Sequence, residues 1–496
     1  MNSIIGKSRD KQFIVLLMLL LVVAGCHPVG PDYQAPESAV AQLWQSPMLG
    51  GLTPNLSDPN SMAVWWQDFN DPELASLISR AVAGNMDLKS AYSRVLQARA
   101  YLSMDESELY PRFDASGTGT WSRSNGRNME SYSVGLNSHW ELDVFGGVRR
   151  SLEASKADIE TSRAQLHDVL ITLTAEVAVN YIQVRQVQSQ IQSVQDNLEL
   201  QTQTHELTCW RNQAGLNDEL AVRQSLYNLE SSRAQLPVLN SVFQKACNRI
   251  AVLLGEQPGM IQQELSEYTP VPSIPVSVAV GVPADIIRRR PDIRQAESTL
   301  ISQTARVGVA TANLYPRLTL SGSISVNASA LYKLKGNVFD HSDWFLQGGP
   351  QLSWNVFDAG RVRKSIKIQS LSQEQALLNY EKTVLAAQEE VENALTAYAD
   401  EQLRHVSLTR AASAASEASE IAQYEYESGL ADFSNVLESQ RVLLSFQNQL
   451  IQSQGTMAVN LVRLYKSLGG GWDSQLCVAT DKKNYQLIGE EYNHGK

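Results

Sequence analysis

Cysteine is nearly absent. Four thiols occur in 496 residues, at Cys26, Cys209, Cys247 and Cys477, and no metal-ligand spacing relates them. Histidine is almost as sparse, so a zinc or haem centre has little to build on and no cofactor is expected. No phosphate loop and no nucleophile–base set is present, which argues against an enzyme. Charged residues make up only 19% and the formal net charge is −11, which argues against a nucleic-acid partner. Long apolar runs are missing as well: Phe13 to Ala24 is too short to span a bilayer as a resident helix. Between Gly147 and Gly215 there is neither proline nor glycine. That absence predicts one helix of about 65–68 residues, roughly 100 Å long at about 1.5 Å per residue.

What is present is a duplication. Shifted by 214 residues, the stretch from Gly146 to Gly255 lies without a gap on Gly360 to Gly469. Trp140 falls on Trp354, Glu176-Val177 on Glu390-Val391, Gly215-Leu216 on Gly429-Leu430 and Leu254-Gly255 on Leu468-Gly469. A second match, at a shift of 205, places Asp87 on Asp292 and Leu-Tyr-Pro-Arg at 109–112 on 314–317. The chain is a tandem repeat of one unit, and function is read from that unit.

The N-terminus gives a destination. Lys7, Arg9 and Lys11 precede the apolar run, which ends Val23-Ala24-Gly25-Cys26. This resembles a bacterial lipoprotein cleavage box, with the Cys26 thiol as lipid attachment point and residues 1–25 as signal peptide. His27 rather than Asp follows the cysteine, which by resemblance directs the chain to the outer membrane. Residues 26–61, with Pro and Gly, are expected to form a lipid-anchored tether.

Each repeat changes period in its middle. Tyr132, Val134, Leu136, Trp140, Leu142 and Val144 alternate with Ser133, Asn137, His139, Glu141 and Asp143. In the second copy Leu318, Leu320, Ile324 and Val326 do the same, followed by Trp344, Leu346, Leu352, Trp354 and Val356. Hairpins over 113–144 and 317–358 are expected, each strand having about the 9–11 residues that cross a bilayer as tilted β-structure. Four strands cannot close a barrel, and lipid does not tolerate an open edge, so the chain must combine with copies of itself. Two chains would give eight strands and three would give twelve; strand count does not choose between them.

Helices occupy the rest. One from about Pro72 to Ser107 has a weak point at Gly84-Asn85. In the long helix Val184, Val187, Ile191, Val194 and Leu198 step by three and four, a coiled-coil seam. After the turn at Gly215, Asn217 or Asp218 opens a helix of about 38 residues ending at Leu254-Gly255. None of these helices shows a broad apolar face; they read as walls wetted on both sides. The first repeat covers 62–255, a Pro- and Val-rich linker 256–283, the second repeat 284–469 and a polar tail 470–496.

The lipobox, the duplicated helix–hairpin–helix unit, Trp-Trp-x-x-Phe-x-Asp-Pro at 65–72, Arg-Arg-Pro-Asp-Ile at 289–293 and Phe-Asp-x-Gly-Arg at 357–361 together resemble the outer-membrane factor family. The likeness is to its lipoprotein branch of OprM/NodT type, relatives of TolC. It spans almost the whole mature chain. It implies a mainly α fold with a membrane β part: a homotrimer whose twelve-strand β-barrel continues into a twelve-helix α-barrel crossing the periplasm. Such ducts receive substrates from an inner-membrane efflux pump through a periplasmic adaptor and perform no chemistry. Gly215-Leu216 and Gly429-Leu430 resemble the helix turns at the periplasmic tip where the adaptor engages. Tyr426, Asn435 and Glu438 match the family's gate segment: a tyrosine that ties coils together and two positions that carry acids in relatives. This chain departs from the pattern at both acidic positions, with Asn at one and Glu at the other. The first repeat has Ala221 and Gln224 there, so one carboxylate ring rather than two is implied.

Overall fold

The structure, a computed structural model, describes residues 28–36, 43–46, 48, 51–53, 62–124, 127–275, 278–281, 283, 289–331 and 342–472. The lipidation candidate Cys26, Cys477 and nearly all of the polar tail lie outside the described residues. In chain order the elements are β1 (Leu52–Thr53), α1 (Pro72–Gly84), α2 (Met86–Ser107), β2 (Arg112–Ser124), β3 (Arg127–Leu142) and α3 (Gly147–Gln213). There follow α4 (Glu219–Arg233), α5 (Gln235–Leu254), β4 (Val278–Ala279), α6 (Pro291–Ala312), β5 (Arg317–Leu331), β6 (Ser342–Ser353), α7 (Arg361–Glu427) and α8 (Phe433–Ser467). The described residues group into two compact units. One draws on Met1–Glu37, Ser93–Ala164 and Arg294–Lys382, the other on Ser38–Tyr92, Gln165–Ile293 and Thr383–Lys496.

The first unit contains a four-stranded antiparallel sheet in the order β2-β3-β5-β6. Its register sets Leu136 opposite Ala115 and Ile324, Val134 opposite Gly117 and Val326, and Ile324 opposite Leu346. Opposed residues share a face, so the apolar positions of all four strands collect on one side. Among the described residues little covers that side: Val134 is 69% exposed, Trp344 75% and Leu346 81%. The strands run to 13, 16, 15 and 12 residues, longer than the roughly 9–11 expected, but β3 and β6 stop at Leu142 and Ser353, short of Val144, Trp354 and Val356. In the first hairpin the polar tip pairs too, down to Arg123 with Asn128 and Ser124 with Arg127, because backbone pairing needs no apolar side chain. The duplication recurs in the hydrogen bonds. Trp140 Nε1 donates to Leu109 O at 2.9 Å, and Trp354 Nε1 donates to Leu314 O at 3.0 Å. Each ties a strand end back to the residues that close the preceding helix. Residues 28–36 cross this unit: Val29 N donates to Phe145 O, Arg150 grips Asp32 at 2.6 Å, and Tyr33 Oη donates to Glu297 at 2.9 Å.

The second unit holds the hydrophobic core. Here the wetted-wall reading is corrected, because α1, α5 and α8 each bury a stripe. Leu74, Leu77 and Ile78 of α1 meet Ile250 and Leu254 of α5, Leu461 and Leu464 of α8, and Val177 and Ile182 of α3 in one cluster. The motif at 65–72 is built into this core. Trp65 stacks on Tyr465 with centroids 5.4 Å apart, Tyr465 Oη donates to Asp68 at 2.7 Å, and Phe69 is 1% exposed. Asp71 caps α1 by accepting from Glu73 N and Leu74 N, and also accepts from Tyr181 Oη at 2.7 Å. Arg290 of the 289–293 motif donates to Ser467 O, Asp292 and Glu390, closing the end of α8. Glu392 accepts from Gln45 N and from Ser46 N and Oγ. Burial pushes the Glu392 carboxyl up, yet these bonds outweigh it and hold the group below the usual carboxylate range.

Two helix expectations need correction. The 38-residue helix divides at Ala234 into α4 and α5. Pro237 is the cause: it lacks an N–H and is tolerated in the first turn of a new helix but not inside a continuous one. The seam of α3 also leaves its apolar track. After Val187 and Val194 it passes through Asn197, Gln201, Thr204 and Thr208, all buried, while Leu198 is only half-buried. The three-four spacing continues but its chemistry turns polar.

Candidate functional site

The polar part of that seam leads to two turns of identical build. In the first, Gly215 N donates to Asn212 O at 2.9 Å and Leu216 N reaches back to Arg211 O at 2.8 Å. In the second, Gly429 N donates to Tyr426 O at 3.0 Å and Leu430 N to Glu425 O at 2.8 Å. The glycines have φ of 74° and 76°, the left-handed value that ends a helix in this way. The residue after such a glycine commonly packs on the helix it leaves. Here Leu216 is 68% and Leu430 78% exposed, so each turn presents an uncovered leucine.

Behind the turns Tyr426 is 3% exposed in a small cluster with Ala221, Phe433, Val436 and Leu437. Its ring meets Phe433 edge-on, with centroids 5.6 Å apart. Its hydroxyl accepts from Asn217 Nδ2 at 2.7 Å and lies 3.5 Å from Thr208 Oγ1. Arg211 makes the strongest connection. Its Nη1 donates to Tyr426 O at 2.7 Å, and its guanidinium lies 4.5 Å from the centre of the Tyr426 ring. The backbone carbonyl of the same Arg211 closes the first turn. One residue of the first repeat therefore shapes its own turn and holds the residue that precedes the other.

The predicted residues fall into three groups. Gly215 and Leu216, with Gly429 and Leu430, form the two turns, and Tyr426 joins the helices that carry them. Asn435 and Glu438 stand apart: both are exposed on α8, and among the described residues Glu438 pairs with Arg441, one turn on, at 3.5 Å. Their counterparts in the first repeat sit differently, Ala221 being buried against Tyr426. Asn217 does not open α4. Asp218 is its cap, accepting from Ala221 N at 3.0 Å, which frees Asn217 for the Tyr426 hydroxyl. Arg211 escaped the sequence reading, and Asn217 was read only as a possible cap, because their partner Tyr426 lies across the helix pair, about two hundred residues away in the chain. Among the described residues no group of three or more His, Cys, Asp or Glu side chains is placed to hold a metal ion, and no helix is long and apolar enough to cross a membrane.

The class of this mainly helical chain with two amphipathic β-hairpins follows from comparison with known proteins. A family model described as outer membrane efflux protein matches residues 77–256 and 282–470. Nodulation protein T of Rhizobium leguminosarum bv. trifolii is 32% identical over 463 residues, covering 91% of this chain and 96% of that protein. Cation efflux system protein CusC of Escherichia coli (strain K12) is 28% identical over 454 residues, 91% of this chain and 97% of its own. The solved structure of the outer-membrane channel OprN superposes with a TM-score of 0.82 at 34% identity, covering 90% of this chain and all of that one. The chain belongs to the outer membrane efflux protein family.

Proposed function

We propose that three copies of the chain form the outer-membrane exit duct of a tripartite efflux system, with a twelve-strand β-barrel above a twelve-helix α-barrel. The observation that carries this reading is the sheet. It bares one apolar face and, among the described residues, leaves the outer edges of β2 and β6 unpaired. In lipid such edges must be closed by other strands, and a barrel of three sheets closes them all. Cys26 carries the lipid anchor, and the exposed Leu216 and Leu430 are the apolar contacts offered to a periplasmic adaptor. The adaptor brings drugs or other small molecules from an inner-membrane pump, and the duct conducts them passively. The full-length protein, extracted in detergent, is expected to appear as a trimer in native mass spectrometry, each protomer bearing the mass of an acylated Cys26. In planar bilayers it is expected to conduct ions. A membrane-inserted monomer without conductance would overturn the duct.

Glu438 is read as the gate carboxylate, with Asn435 one turn before it on the same face of α8. Three copies converging on the axis of the α-barrel would repel one another and attract cations. Glu438→Gln is expected to lower cation selectivity and blunt block by divalent ions, measured as reversal potentials in asymmetric salt. Glu425, exposed on α7 and matching no gate position, is the comparison. Equal shifts for Glu425→Gln and Glu438→Gln would reduce Glu438 to a surface charge.

A further inference from the structure

Where the sheet meets the helices, the first unit holds a cavity of about 800 Å³, within the range of roughly 300–1,000 Å³ that small-molecule sites occupy. It lies between the ends of α2, β3 and α6 and the starts of β2, α3 and β5, with Met104, Phe145 and Val309 among its apolar lining. The charges of the sheet's polar face gather here. Arg112, Asp114, His139, Glu141 and Arg317 share that face by register, and all but Asp114 line the cavity. Farther along the same face Ser116, Thr118 and Thr120 of β2 stand opposite Gly135, Ser133 and Ser131 of β3. Hydroxyls alone keep that part wet, so wetting does not account for the charges at its end.

Two of these charges, one of each sign, have no counter-ion among the described residues. Arg112 is paired with Asp114, two residues on, at 2.9 Å. In the second repeat Arg317 stands where Arg112 does, but Thr319 replaces the aspartate, and Arg317 donates to the amide oxygen of Asn313 instead. Asp143, which also lines the cavity, is spent on Arg149 and on the first amides of α3. Glu141 is half-buried and belongs to no ion pair among the described residues. It stands opposite Thr319, so Arg317 is its diagonal neighbour on the same face, with backbones about 7–8 Å apart. Side chains as long as these can hold a small group between them. We infer that the cavity binds an amphipathic zwitterion, with its ammonium on Glu141, its carboxylate on Arg317 and its apolar body against Met104, Phe145 and Val309. The role in transport rests on the duct reading above. There the polar face lines the lumen, and the cavity is a station for such cargo between the helical part of the duct and the barrel.

Fluorescence titration of the full-length, detergent-purified protein with Nε-dansyl-L-lysine tests the site. Its methyl ester, which lacks the anion, and its Nα-acetyl derivative, which lacks the cation, are titrated beside it. The parent is expected to bind the zwitterion about tenfold or more tightly than either. Arg317→Gln is expected to weaken the zwitterion about tenfold and leave the methyl ester unchanged. Glu141→Gln is expected to weaken it likewise and leave the acetyl derivative unchanged. Arg317→Lys, which keeps the charge, should bind the zwitterion more tightly than Arg317→Gln, which a folding defect would not produce. Glu108, an exposed carboxylate of the same cavity at the end of α2, is the comparison, and Glu108→Gln should match the parent. Equal affinity of the parent for all three ligands overturns the site, as does an equal loss in Glu108→Gln and Glu141→Gln. Binding is measured without conductance, so the two readings fail separately. A conducting trimer that does not discriminate the ligands overturns the site and leaves the duct, whereas discrimination by a non-conducting protein keeps the site and removes its role in transport.

Discussion

Gly84→Ala is expected to destabilise the protein by roughly 3 kcal/mol or more, against the sign that helix propensity alone would give. Alanine normally stabilises a helix relative to glycine by about 0.5–1 kcal/mol. At this position the added Cβ would stand 2.0 Å from Leu254 O, the last turn of α5 lying directly on the last turn of α1. Gly255 opposite is equally confined, at φ 76° with a Cβ site 2.5 Å from Gly84 O. Neither neighbour is a side chain that can swing away, so one helix end must move. That would pull Asn85 from its two tasks, donating to Leu253 O at 2.9 Å and accepting from Leu88 N at 2.9 Å. Gly215→Ala is the control. It pays the left-handed backbone strain of about 1–2 kcal/mol but meets nothing within 4 Å. Thermal unfolding followed by circular dichroism should rank Gly84→Ala well below Gly215→Ala. A neutral or stabilised Gly84→Ala would mean that the two helix ends do not touch.

The same pair shows how far the sequence could be read. Gly84-Asn85 was visible as a weak point because glycine and asparagine are poor inside helices. Nothing local told that the glycine is needed for a backbone approach to Leu254, since that requirement belongs to a segment 170 residues away. The duplication, the period-two hairpins and the uninterrupted helices were legible because each is written in consecutive residues. The turns at Gly215 and Gly429 were legible for the same reason. The division at Ala234 was also written locally, in Pro237, which the expected helix of about 38 residues ran through. The polar run Asn197, Gln201, Thr204, Thr208 kept the three-four spacing but lacked the hydrophobicity by which a seam is recognised. Leu198 was chosen over its neighbour on that ground alone. Tyr426 stood out through a family likeness, whereas Arg211, which holds it, is one of many arginines until the helices are paired.

Arg211 carries the larger functional prediction. In this structure its guanidinium binds Tyr426 O at 2.7 Å and covers the Tyr426 ring, linking the helices of the two repeats immediately behind their turns. If the duct opens by separating these helices, both contacts exist only in the closed arrangement and bias it. A charged hydrogen bond contributes about 1.5–3 kcal/mol and the cation–π contact about 0.5–1 kcal/mol where partly exposed. Losing roughly 2–3 kcal/mol from the closed state alone raises the open-to-closed ratio by about 30- to 150-fold. Arg211→Ala is therefore expected to raise basal conductance in planar bilayers strongly. Tyr426→Phe removes only the hydroxyl's contacts with Asn217 and Thr208 and keeps the ring under the guanidinium, so its effect should be smaller. Arg223→Ala breaks an exposed pair with Glu219 within α4 and should leave conductance at the parental level. The order Arg211→Ala, then Tyr426→Phe, then Arg223→Ala follows from which contacts join two repeats and which stay within one helix. Parental conductance in Arg211→Ala, or an equal rise in Arg223→Ala, would show that this contact braces the fold without restraining the duct.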